Sequence, residues 1–143
     1  MRIAIQWLHL LSAIVAIGGS FFLRFVLLPA SQSLDGAQRQ QLTDGVMKRF
    51  RPILWVSITV LFFTGLYNAG MVAMRGGLVA APAYLQLLLI KILLALVIFG
   101  IAFLLTAPGD IFSSLKTRRK QLLTVNVVLA VIVVFLSAYL RRM

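Results

Sequence analysis

Cysteine and glutamate are both absent from this chain of 143 residues, which has only three acidic residues and one histidine. Without cysteine it can form no disulfide framework, zinc ribbon or iron–sulfur cluster. Charged residues make up 12% of the chain and apolar residues 62%, whereas a soluble domain usually carries about 45–50% apolar residues. Too few polar residues remain to cover a water-soluble surface, and the same composition excludes disorder, collagen and coiled coil.

Four long apolar runs are present, and each is close to or above the roughly 20 residues that a membrane-spanning helix needs. The first is too long for a signal-peptide core of about 7–15 residues, so we expect it to be retained. Proline, which is tolerated at helix ends, stands near the span boundaries. The sequence therefore predicts an all-α integral membrane protein, an antiparallel four-transmembrane-helix bundle forming a single domain over residues 1–143. The predicted spans are about 3–28, 53–74, 84–106 and 122–140.

The net charge of +11 is concentrated in short segments between the apolar runs. This is the pattern of membrane topology signals, and we expect no nucleic-acid partner. With four spans, the first and third loops share one side of the membrane. They carry nine basic residues, Arg24 being counted with the first loop, against four at the termini and the second loop. The positive-inside rule predicts that these two loops are cytoplasmic and that both termini are periplasmic, in a bacterial inner membrane.

The first loop, residues 31–51, contains Leu42, Val46 and Phe50 at helical spacing, with basic residues between them. One interpretation is a short interfacial helix lying on anionic lipids of the cytoplasmic leaflet. The other is a solvated loop followed by an early start of the second helix.

Small and polar residues recur at spacings of three and four in every span. Transmembrane helices associate through such residues, so they predict the inward faces. On this basis His9 and Lys91 point into the bundle, each about 10 Å below the outer surface. The predicted faces are Gln6, His9, Ser12, Ala13, Ala16, Gly19 and Ser20; Ser57, Leu61, Thr64, Asn68 and Met71; Lys91, Ala95, Ala102 and Thr106; and Asn126, Ala130 and Ser137.

A neutral imidazole is a good ligand for haem iron or copper, which makes His9 a candidate metal ligand. The alternative is a histidine that is hydrogen-bonded between helices and binds nothing. One histidine cannot supply both axial ligands of a haem, so a bis-histidine di-haem core within one chain is excluded. Met71 and Met74 offer thioethers suited to Cu(I), or they are ordinary apolar helix residues. Tyr67 and Asn68 approach the same outer half from the second helix.

Lys91 is an ionisable residue within a predicted span, which makes it a functional hypothesis by default. The three aspartates, Asp35, Asp44 and Asp110, all fall in the predicted cytoplasmic loops. We therefore expect Lys91 to reach outward to the interface, to lose its proton, or to pair with an anionic ligand, a lipid phosphate or a partner subunit.

Short motifs on three helices resemble the CopD (copper-resistance D) superfamily of membrane proteins. The first is Trp7-Leu8-His9-Leu10-Leu11, followed by Gly18-Gly19 and Arg24. The second is Arg49-Phe50 with Pro52, followed by Thr64-Gly65-Leu66-Tyr67-Asn68. The third is Leu89-Ile90-Lys91-Ile92-Leu93-Leu94. The resemblance covers about residues 5–105.

This resemblance implies membrane copper handling. In the related HemJ branch of protoporphyrinogen oxidases, an equivalent histidine and lysine serve haem or porphyrin binding, and they correspond to His9 and Lys91. The leading hypothesis is a small CopD-like protein that binds haem b or copper in the outer half of the bundle. His9, Lys91, Tyr67 and Asn68 would bind the cofactor, and Met71 and Met74 would join His9 if the ligand is copper. No catalytic residue is assigned. The alternative functions are an accessory subunit of a larger membrane complex and a HemJ-like oxidase. The possible protein partners are further copies of this chain or the other subunits of a larger membrane complex.

Overall fold

A computed structural model describes residues 2–74, 82–106, 118–140 and 142, and these ranges are helical apart from short turns. We label the four long helices α1 (Arg2–Phe22), α2 (Gly36–Met74), α3 (Pro82–Thr106) and α4 (Arg119–Leu140). No strand occurs within the described ranges, in agreement with the all-α prediction. Asp110 and Lys116, together with Arg75 and Arg141, lie outside the described residues.

The first apolar run stays helical beyond its predicted end. After α1 the chain forms a π-helical turn (Leu23–Leu27), a helical turn (Leu28–Ala30) and a 3-10 turn (Ser31–Ser33). Pro29 has no amide hydrogen to donate to the carbonyl of Phe25, four residues before it. The wider turn, in which the Leu28 amide donates to the Leu23 carbonyl, directly precedes this proline. The proline alters the helix locally without ending it.

The segment that the sequence assigned to a loop, residues 31–51, is helical from Gly36 onward and continuous with the second span. Of the two interpretations, the separate interfacial helix is wrong, whereas the early start of the second helix agrees with the structure and reaches back to Gly36. Asp35 caps the helix, since its Oδ1 accepts a hydrogen bond of 2.8 Å from the Gln38 amide. Pro52, which we expected at a span boundary, lies inside α2. At 39 residues, α2 is about 58 Å long, nearly twice the hydrocarbon thickness of a bilayer.

The buried side chains lie toward one end of the helices. Leu23, Met47, Leu105 and Leu123 form the hydrophobic core. They come from the π-helical turn and from the parts of α2, α3 and α4 nearest the predicted cytoplasmic side. At the other end, the residues that face neighbouring helices are mostly half-buried. The helices therefore pack closely around the core and more loosely toward the predicted outer side.

Helix pairing is uneven. α1 packs along α2, α3 packs along α4, and α1 also contacts α4, whereas α2 and α3 touch sparsely. One polar bond joins the first helical segment to α4, since Arg24 Nε donates to Thr124 Oγ1 at 2.6 Å. The predicted inward faces are buried or half-buried throughout, except that Gln6 is exposed. Periodicity therefore located the contact faces correctly.

The outward surfaces are strongly apolar. Ile3 is 75% exposed, Trp7 67% and Phe135 70%. All four long helices are long and apolar enough to cross a membrane. A soluble domain does not expose this much apolar surface, so the chain has the features of an integral membrane protein.

The adjacent glycines Gly18 and Gly19 differ in what a methyl group would meet. At Gly19 it would collide with the ring of Phe50, whereas at Gly18 nothing lies within 4 Å. We expect Gly19→Ala to destabilise the protein, because overpacking costs about 1–3 kcal/mol. That exceeds the gain in helix propensity of about 1 kcal/mol. Gly18→Ala should gain only the helix propensity, because a methyl group there meets no other atom within 4 Å. This substitution should therefore raise the stability.

Thermal unfolding in detergent, followed by circular dichroism, measures both changes. A second substitution, Phe50→Leu, should relieve the Gly19→Ala variant because it removes the ring atoms in the way. Shifts of the same sign for Gly18→Ala and Gly19→Ala would show that the contact between Gly19 and Phe50 does not limit packing.

Candidate functional site

The His9 side chain is held between α1 and α2 by a side-chain hydrogen bond. Its Nδ1 lies 2.7 Å from Thr64 Oγ1. The Thr64 hydroxyl has one proton, which it donates to the Val60 carbonyl at 2.6 Å. With that proton on the Val60 carbonyl, the Thr64 oxygen accepts from His9, and we assign the proton of the neutral ring to Nδ1.

This arrangement leaves Nε2 of the neutral ring with an available lone pair. A histidine that binds a metal usually donates its other ring N–H to a fixed acceptor, which sets the tautomer and the orientation of the ring. Thr64 occupies that position here. Gly65 adjoins the ring, since a methyl group there would lie 3.6 Å from Cε1 of His9, which is an ordinary van der Waals distance. The ring is therefore positioned by α2, and Nε2 can accept a proton or bind a metal.

Lys91 of α3 is the charged neighbour of this histidine. Its ammonium group lies near enough to the His9 ring to act on it electrostatically. Both residues are half-buried. The structure thus brings together the two residues that the sequence placed at the same depth on different helices. An imidazole and a lysine side chain from different helices lie near one another in the less tightly packed half.

The other predicted site residues lie farther along α2. Asn68 is half-buried one turn beyond Thr64 on the same face, and Tyr67 is 38% exposed. Met71 and Met74 are seven and ten residues beyond Thr64, about 10 and 15 Å along the helix axis. Met74 is 76% exposed. Asn68 therefore lies nearer to His9 along the helix than either methionine.

Thr64 is the residue that the sequence reasoning missed as part of the site. The available signal was its place on the predicted inward face of α2 and in the motif Thr64-Gly65-Leu66-Tyr67-Asn68. Neither signal pairs it with His9, because that pairing depends on how α1 and α2 lie against each other.

Within the described ranges, no group of three or more His, Cys, Asp and Glu side chains could hold a metal ion. A groove of about 420 Å³ between α1 and α2 is lined by apolar residues and by Ser12 and Ser57. The lining of this groove begins at Leu11 and Ser12, within one turn of His9, and includes neither His9 nor Thr64. The donor chemistry at His9 is therefore that of one imidazole with a neighbouring ammonium group.

Compared with models of known protein families, with curated proteins and with solved structures, the chain matches none of them. The CopD resemblance of the three motifs thus stays a prediction.

Proposed function

We propose that the chain is an antiparallel bundle of four transmembrane helices that binds a redox-active ligand at His9, haem in preference to copper. In this proposal the ligand occupies the outer half of the bundle, and the chain serves haem handling or electron transfer in a bacterial inner membrane. The basic loops face the cytoplasm and both termini face the periplasm, as the distribution of Lys and Arg indicates.

Two contacts support the antiparallel arrangement of the first two helices. His9 contacts Thr64, and Gly19, ten residues later, lies against Phe50, fourteen residues earlier than Thr64. Membrane insertion is supported by the apolar outward surfaces of all four helices.

The main support for a ligand at His9 is the hydrogen bond between His9 and Thr64. With the Thr64 hydroxyl donating to the Val60 carbonyl, the Nδ1 proton is assigned to the bond with Thr64, and Nε2 keeps the lone pair that a metal would use. The same hydrogen bond joins α1 to α2, and the proposed ligand uses the ring nitrogen that this bond leaves over. The half-buried surroundings are compatible with an incoming ligand, in contrast to the closely packed core.

The donor set favours haem over copper. Haem iron needs one axial ligand from the protein, whereas a Cu(I) site needs several soft or imidazole donors. His9 can supply the single ligand, while Met71 and Met74 lie about 10 and 15 Å farther along α2 than Thr64. Lys91 suits the acidic groups of a haem, because an ammonium group offsets the charge of a carboxylate.

Haem bound at this site would supply one-electron redox chemistry. The chain's own residues have distinct tasks in this proposal. His9 binds the iron through Nε2, Thr64 orients the ring, and Lys91 holds an acidic group of the ligand. No residue is assigned to general acid or base catalysis in this proposal.

An accessory subunit of a larger membrane complex is the second candidate. The sparse contact between α2 and α3 favours it, because a partner helix could pack against the faces that these two helices leave uncovered. The two candidates predict different results when the protein is purified under mild conditions. The first predicts bound haem, and the second predicts a stoichiometric partner protein without metal.

Visible absorption spectra of the protein purified in mild detergent, oxidised and reduced, test the proposal, together with haem and copper analysis. We expect a Soret band and close to one haem per chain, either as purified or after addition of haemin. A colourless protein that takes up no haemin would overturn the haem proposal. In that case, copper in the purified protein would favour copper handling, and a stoichiometric partner without metal would favour the accessory subunit.

A further inference from the structure

A second cavity, of about 800 Å³, lies at the end of the helices away from His9. Arg24 marks its position on the first helical segment, fifteen residues beyond His9, or roughly 20 Å along the helix axis. Its volume is within the range of about 300–1,000 Å³ typical of small-molecule sites. Six basic side chains from three helical segments line it: Arg24, Arg39, Lys48, Arg51, Arg119 and Lys120.

The negative charge available to this cavity is small. Asp44 is the one described carboxylate in its lining. Asp35 caps the start of α2 through the Gln38 amide, and Asp110 lies outside the described residues. Six cations around one carboxylate repel one another, and an anion in the cavity would relieve that repulsion.

Two arginines in the lining of the cavity each have a guanidinium nitrogen that the described part of the chain leaves without a hydrogen-bond partner. Among the described residues, the Nε atoms of Arg51 and Arg119 are buried without a hydrogen-bond partner. A buried charged donor without an acceptor is costly, so the site favours a ligand that brings acceptor oxygens. Arg24 differs, because its Nε already donates to Thr124 Oγ1. Arginine binds the oxygens of a phosphate or a carboxylate through two parallel N–H···O bonds.

The floor of the cavity is apolar. Leu28, Met47 and Leu105 line it together with the basic residues, and these three belong to the hydrophobic core or pack against it. A cationic wall above an apolar floor suits an amphiphilic anion better than a fully hydrated one. The predicted cytoplasmic leaflet carries such molecules in its anionic phospholipids.

We propose that this cavity binds the phosphate group of an anionic phosphate ester, with Arg51 and Arg119 as its principal ligands. The apolar floor indicates a phospholipid, whose glycerol region would lie over Leu28, Met47 and Leu105. The site is about 20 Å from His9 along the helix axis and is independent of the haem proposal.

The test uses the full chain, purified in a neutral detergent and stripped of lipid. Binding is measured by native mass spectrometry and by thermal shift with three probes: phosphatidylglycerol, phosphatidylcholine and inorganic pyrophosphate. The cavity variant is Arg51→Gln with Arg119→Gln. Its matched control is Arg49→Gln with Arg118→Gln, which removes the same charge from two exposed residues outside the cavity lining.

We expect phosphatidylglycerol to bind in preference to phosphatidylcholine. The cavity variant should lose at least about tenfold in affinity, because each charged hydrogen bond contributes substantially. The control should change by less than about twofold, as expected for screened surface charge. Selective binding of pyrophosphate with the same dependence on Arg51 and Arg119 would retain the phosphate site and overturn the lipid as its source.

Equal loss of affinity in the cavity variant and the control would overturn the site, because nonspecific attraction would explain it. Absence of binding by all three probes would do the same. If the glutamine variant fails to fold, Arg51→Lys with Arg119→Lys keeps the charge and removes the planar fork. The proposal then predicts an intermediate loss of affinity, and unchanged binding by this lysine variant would contradict it.

Discussion

Replacing His9 with alanine is expected to abolish haem retention and the Soret band of the purified protein. Nε2 of His9 would hold the haem iron, and the chain has no other histidine to replace it. Thr64→Val should reduce haem affinity by about 10–100-fold, the usual effect of removing the partner that orients a metal-binding histidine. Thr64→Ser keeps the accepting hydroxyl and should restore most of the affinity.

Thr59→Val is the matched control for this series. Thr59 is an exposed residue of α2 whose hydroxyl donates to the Trp55 carbonyl, in the same local pattern as Thr64. It differs from Thr64 in lacking the bond to His9. Haem titration followed by absorption spectroscopy measures all four variants. Equal haem affinity in Thr64→Val and Thr59→Val would contradict the assignment of Nε2, because the ring would not depend on its hydrogen bond.

Replacing Ala130 with leucine is expected to destabilise the protein by about 1–3 kcal/mol or more. Ala130 is 2% exposed on α4, so its methyl group is enclosed by the neighbouring helices. Small residues allow helices in a membrane to approach closely, and this packing replaces the hydrophobic effect that is absent in lipid. Three additional carbon atoms at this position must move α4 away from its neighbours.

Ala138→Leu makes the same change on an exposed face of the same helix. It should alter the stability by less than about 0.5 kcal/mol. Unfolding of the two variants in mixed detergent, followed by circular dichroism, compares them directly. Similar stabilities would show that α4 does not pack through Ala130.

Sequence reasoning predicted most of the helical structure, because apolar length and residue spacing are local properties. The contact faces of all four helices were visible in the spacing of small residues, and only Gln6 deviated. The boundary at Pro52 was wrong. Proline removes one hydrogen bond, but the capped segment from Asp35 onward contains enough helix-forming residues to continue through it.

The candidate site was predicted in part. Counting residues from the helix ends placed His9 and Lys91 at one depth, and the structure shows them near enough to interact. Thr64 and the tautomer of His9 could not be predicted, because both depend on how α2 is rotated about its axis against α1.

The sequence by itself determined that the chain forms four apolar helices, and it determined which side of each helix faces its neighbours. These properties depend on composition and on periods of three and four residues. Tertiary structure alone decided which side chains meet. His9 and Thr64 are 55 residues apart, and Arg24 and Thr124 are 100 apart. The basic cavity likewise combines residues from four helical segments. Spacing along one helix carries no information about such pairs, since the packing of whole helices sets their register.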